Sequence, residues 1–109
     1  MNTGDIVLIP FPLADLNNKK IRPAIVICET KDKFKDVVVC AISSMVPKIL
    51  NQNEILLQPD KINNLRAISV AKINRIVTAK HTNILNQLRK LNENSLNDFC
   101  EIFKGLIDH

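Results

Sequence analysis

GDIVLIPFPLADLNNKKIRPAIVI, residues 4–27, is the stretch whose reading decides the fold. It reads as strand, long loop, strand. Residues 5–9 are a β-branched apolar run that Pro10 must end or push to a sheet edge, because proline has no N–H to give a ladder. Residues 24–28 are the returning strand. Between them Pro10 and Pro12 stiffen the exit, Asn17 and Asn18 supply turn chemistry, and Lys19, Lys20 and Arg22 gather three cations. Such a loop attracts phosphate, although charge runs also serve as plain solvated surface. Pro23 fixes the backbone just after Arg22, so that guanidinium leaves from a defined point at the mouth of a strand.

Working outward, residues 29–36 form a polar surface connection with Phe34 as its one apolar feature. Core packing is the expectation for Phe34, base stacking the alternative. Residues 37–42 are a continuous apolar run of strand length, which predicts a central strand buried on both faces. It ends in Ser43-Ser44, hydroxyls that serve either a turn or a site. Residues 45–53 are a loop in which Lys48 offers a phosphate contact. A short strand follows over 54–58, then a turn at Asn63-Asn64, where asparagine tolerates a positive φ. Residues 67–72 and 75–78 read as two strands joined by a kink near Ile73-Asn74. Past His81 the period changes to about 3.6, and Ser95 opens a capping-box pattern. Leu96, Phe99, Cys100, Phe103, Leu106 and Ile107 then make one apolar stripe, which predicts a C-terminal helix packed on the sheet.

Composition sets independent bounds. A chain of 109 residues is expected to be one domain, 1–109, able to bury roughly two-thirds of its unfolded surface. With no Trp or Tyr and four Phe, its core must be Ile, Leu and Val. Phe99 and Phe103 fall in the helical stripe, which leaves Phe11 and Phe34 as stacking platforms. The formal charge of +4 and pI near 9.1 favour an anionic partner without identifying one. Cys28, Cys40 and Cys100 share no C-x-x-C spacing and lie in apolar patterns, as reduced core residues do. No cationic leader precedes an apolar run, and no stretch approaches the ~18 apolar residues of a membrane span, so a soluble cytoplasmic protein is expected. Two Gly and two His leave no material for a P-loop or a His-rich metal site. No metal or cofactor is therefore expected, and His81 and His109 read as surface or capping residues.

The order G-D-I-V, P-F-P and R-P-A-I-V-I resembles the opening of the PemK/MazF-like toxins, endoribonucleases of type II toxin–antitoxin pairs. VVVCAISS (37–44) looks like that family's third strand, LRAISVAKINRIVT (65–78) like its later strand pair, and residues 84–107 like its terminal helical region. The resemblance implies a mainly β (α+β) fold: a small SH3-like barrel of antiparallel strands with a C-terminal α-helix. It also implies a homodimer and a cognate acidic antitoxin, disordered alone, that docks on Lys19, Lys20 and Arg22 beside Phe11. Ala41-Ile42-Ser43 matches the place where the family carries a Thr or Ser. Ser43 is thus the hydroxyl paired with Arg22, and Ser44 points elsewhere along a pleated strand. The family commonly has an acidic residue and Gln where Asn74-Arg75 stand, a departure that bears on base specificity.

RNA carries its own nucleophile, the 2′-OH, which can attack the adjacent phosphorus to leave a 2′,3′-cyclic phosphate and a 5′-OH. Arginine can spread the developing charge through two parallel hydrogen bonds. Arg22 is the main catalytic candidate, as charge stabiliser and candidate acid, with Ser43 positioning the phosphate. Lys19, Lys20, Ser44, Lys48, Phe11 and Arg75 are the candidate RNA contacts, and single-stranded RNA is the expected substrate because duplexes hide their bases. The alternatives are a gyrase-poisoning toxin of related fold and a catalytically silent RNA-binding module.

Overall fold

A strand apolar at every position can bury both of its faces, and the third strand does. Val37, Val39 and Ala41 enter one core cluster while Cys40 and Ile42 enter another on the opposite face. The computed structural model describes residues 1–12 and 18–107. Its strands are β1 (Asp5–Pro12), β2 (Lys19–Glu29), β3 (Val37–Ser43), β4 (Glu54–Leu57), β5 (Ser69–Ala79) and β6 (Asn86–Lys90), followed by the helix α1 (Glu93–Gly105). They form one sheet in the order β4-β5-β3-β2-β1-β6 with antiparallel neighbours, curled into a half-barrel. The mainly β fold with a C-terminal helix is therefore as expected. The turn expected at Asn17 and the terminal His109 lie outside the described residues.

Several elements depart from the sequence reading. Pro10 does not end β1, which runs through Pro12 against β2 as Pro10↔Ile21 and Pro12↔Lys19. The prolines are tolerated because β6 pairs β1 only from Asp5 to Leu8, so beyond Leu8 the outer side of β1 has no described strand partner needing an N–H. β6 itself stands where a helical period is expected. Leu85, Leu88 and Leu91 carry that period, but the outer edge of β1 needs hydrogen-bond partners and residues 86–90 supply them. Of the helical opening expected at His81, one 3-10 turn, His81–Asn83, remains. The expected strand pair over 67–78 is one strand, and its kink is a bulge. Cys40 faces Ile76 and Ala41 faces Lys72, so Ile73, Asn74 and Arg75 have no opposite number on β3.

The helix begins earlier than the expected cap. Asn92 is the N-cap, its side-chain oxygen accepting from the Ser95 N–H at 2.8 Å, so Ser95 is capped and does not cap. Phe99 is the buried anchor, set in the cluster of Ile6, Ile25, Ile42 and Leu57, with Leu96, Cys100, Ile102 and Phe103 packed around it. Ile107, expected in the stripe, is exposed. Phe34 is not core either: it is 65 % exposed on the β2–β3 turn with Lys33 Nζ over its ring at 5.2 Å. The cysteines divide as well. Cys40 is buried, which pushes its thiol up to about 12, whereas Cys28 is exposed at a register shift in β2.

Candidate functional site

The β2–β3 ladder positions the two central residues. Its first pairs are Ala24↔Ala41 and Ile25↔Cys40, and continuing that register by two residues sets Arg22 opposite Ser43 on one face. The ladder ends beside Pro23, which has no N–H to contribute, while β2 continues against β1 as Ile9↔Arg22 and Phe11↔Lys20. The chains therefore part beside Arg22 and Ser43, and both residues line a cavity of about 580 Å³.

Five strands and the loop after β4 line this cavity, with Leu8 from β1 and Ser69 from β5. β2 gives Lys20, Arg22 and Pro23, the end of β3 gives Ile42, Ser43 and Ser44, the loop after β4 gives Asn64, Leu65 and Arg66, and β6 gives Asn86 and Leu88. Among the described lining residues are three cations and no carboxylate. A concave wall of one sign raises the local concentration of an anion. Ser43 is 8 % exposed and its Oγ accepts from the Met45 N–H at 3.1 Å. The turn role and the site role are thus compatible. With its oxygen engaged by that N–H, the hydroxyl keeps its own proton to donate, which suits holding a phosphate oxygen better than acting as a base.

Arg66 is a cavity residue that sequence reasoning missed. It lies on an irregular loop, and the signal lay in the residues around it. Asp60 Oδ1 accepts from the N–H groups of Ile62 at 2.8 Å and Asn63 at 2.6 Å, while Oδ2 accepts from Asn92 Nδ2 at 2.8 Å. Asn63, 2 % exposed, takes the N–H groups of Asp60 and Leu65 on its oxygen and donates to the Gln58 carbonyl. Asn64 takes the expected positive φ, 54°. The loop is therefore held in shape, with Leu65 in the core and Arg66 at the cavity wall. The N–H of Asn63 and the Asn92 amide hold the Asp60 carboxyl below its ordinary value.

The PemK-like, MazF-like toxin family of type II toxin–antitoxin systems matches residues 2–107. The chain belongs to that family. A solved toxin, MazF-mt6 of Mycobacterium tuberculosis, superposes with a TM-score of 0.64 at 18% identity, covering 94% of this chain and 96% of that one. At that identity the likeness is one of fold. No curated protein matches.

Within this PemK/MazF-like toxin, the structure brings together Arg22, Ser43, Ser44 and Lys20 from the sequence-predicted residues and leaves the others outside the cavity. Lys19 is exposed one residue before Lys20, Lys48 is exposed on the β3–β4 loop, and Arg75 is exposed in the β5 bulge. Phe11 needs correction. At 6 % exposure it belongs to the core cluster with Val7 and Ile9, so its ring is not presented to a base or to a partner. Among the described residues no group of three or more His, Cys, Asp or Glu could hold a metal ion, and no helix is long and apolar enough to cross a membrane.

Proposed function

We propose that this toxin is a metal-independent, sequence-selective endoribonuclease that cuts single-stranded RNA at the cavity between β2 and β3. One observation carries the reading: Arg22 and Ser43 line one cavity whose described lining residues include three cations and no carboxylate. Members of the family are endoribonucleases, which supports it. In the proposed step the substrate's 2′-OH gives up its proton to solvent as its oxygen bonds to phosphorus, the P–O5′ bond breaks, and the 5′-oxygen leaves with a proton drawn from solvent. The Arg22 fork holds the two non-bridging oxygens as charge builds on them, and the Ser43 hydroxyl donates to the same phosphate and fixes its approach. Lys20 and Arg66 hold flanking phosphates. In this reading the toxin acts as a homodimer in the cytoplasm, as one domain, and is restrained by an acidic antitoxin that covers Lys20 and Arg22.

The deciding experiment incubates purified protein with single-stranded RNA in EDTA. Discrete fragments ending in 5′-OH and 2′,3′-cyclic phosphate are expected, and strict magnesium dependence or absence of cleavage would sink the reading. Arg22→Ala should lower the rate at least about a hundredfold, since a preorganised charged donor is worth about 2.7–4 kcal/mol at the transition state. Arg22→Lys should restore little, because an ammonium lacks the planar fork.

A further inference from the structure

A second, smaller concavity lies beside the first and shares two of its walls. β6 lines the cavity with Asn86 and Leu88 and lines the second cleft with Gln87, Arg89 and Lys90. The pinned loop lines the cavity with Asn64 to Ala67 and the cleft with Lys61 and Ile62. What separates them is the contact between these two walls, where the Lys90 N–H donates to the Ile62 carbonyl at 3.3 Å. The cleft holds three cations and one carboxylate, Asp5. Asp5 accepts the Asn2 N–H at 2.8 Å and stands opposite Lys90 in the β1–β6 ladder, so its charge is set against Lys90. Lys61 and Arg89 remain to receive an outside anion.

We propose that this cleft is a second phosphate subsite for the same RNA strand, which leaves the cavity past Arg66 and is held a few nucleotides away by Lys61 and Arg89. The inference rests on the RNA reading of the cavity. Three features favour a nucleic-acid backbone over an acidic peptide. The two cations come from separate elements, Lys61 from the loop wall and Arg89 from the β6 wall. Ile62 is the only apolar side chain among the described lining residues, too little to anchor a peptide. Both walls are rigid, β6 by its ladder to β1 and the loop by its bonds to Asp60 and Asn63, so little ordering is lost on binding. Binding by the whole track should lengthen the RNA footprint beyond the nucleotides that enter the cavity.

The test uses single-stranded RNA bearing 2′-O-methyl riboses, which cannot be cleaved, as a tetranucleotide and a dodecanucleotide. Lys61→Gln/Arg89→Gln keeps a polar side chain at each position and removes two charges. It should weaken the dodecanucleotide at least about tenfold, change the tetranucleotide less than twofold, and make the salt dependence of the longer strand shallower by about 1.4. Lys31→Gln/Lys33→Gln, an equal charge change on the turn at the other end of β3, should do none of this. Equal losses in both double variants would reduce the effect to net charge and overturn the subsite. So would an unchanged slope, or weakened binding of an acidic peptide with RNA untouched. Wild-type protein that binds neither strand would instead overturn the RNA reading itself.

Discussion

Arg22 and Ser43 line one cavity just past the end of the β2–β3 ladder, and that placement makes a prediction about neighbours. Ser43 follows Ala41 on the face that carries Arg22, whereas Ser44 lies past the end of β3 and is exposed. Ser43→Ala should therefore slow RNA cleavage at least about tenfold, and Ser44→Ala by less, when both are compared at saturating substrate. Reversed losses would mean that the register at the end of β3 is off by one. The chain pointed to both of these cavity-lining residues, Arg22 from the proline behind it and Ser43 from the family's A-I-hydroxyl pattern. The aromatics were not legible. Alternation along β1 puts Phe11 with Val7 and Ile9 on a buried face, but Pro10 and Pro12 suggested that the strand had already ended. Phe34 sits on a turn fastened by Asp32, which takes the Thr30 hydroxyl and the N–H groups of Phe34 and Lys35. Nothing in a polar connection signals that its one ring will point outward.

At the scale of elements, the loop after β4 behaves as part of the site because Asp60 joins it to the N-cap of α1. The folded carboxyl is held below its ordinary value, so its stabilising share is full at neutral pH. That share is lost as pH falls from the ordinary carboxylate range through the folded value. Asp60→Asn should lower the denaturant midpoint at neutral pH, because one amide N–H₂ must then face either Asn92 Nδ2 or the loop N–H groups. The gap between wild type and variant should narrow as pH falls below the ordinary carboxylate range and close once pH has passed the lowered folded value, where the wild-type carboxyl is also protonated. A gap that persists unchanged into acid would show that the carboxylate is not what holds the loop. The turn at Asn63-Asn64 was legible from residue type, as were the bulge near Ile73-Asn74 and the Phe99 face of the helix. β6 was not, because a five-residue strand with one half-buried side chain, Leu88, has almost no alternation of its own. Its existence depends on the unpaired edge of a strand far away in the chain. With β6 a strand, Asn92 becomes the first polar residue able to cap α1.

For the whole molecule, the proposed shared site puts RNA and antitoxin in competition. Because Phe11 is buried, the apolar residues of an acidic antitoxin segment should rest on exposed Ile21 and Met45 at the cavity rim, with its carboxylates on Lys20 and Arg22. A saturating segment of that kind should abolish RNA binding. Added salt should weaken the association, and Lys19→Glu/Lys20→Glu should weaken both partners. Undiminished RNA affinity in the ternary mixture would refute the shared site. The sheet order has a consequence in time as well as in space. β1 is made before its outer partner β6, with β2 to β5 between them, so Asn86 and Leu88 reach the cavity only after the other five strands have been synthesised. A nascent chain therefore carries Arg22 and Ser43 while β4 and β5 are made, without the β6 wall of their cavity. On the proposed function, a cavity that closes only with β6 keeps the toxin from cutting while the strands before β6 are leaving the ribosome.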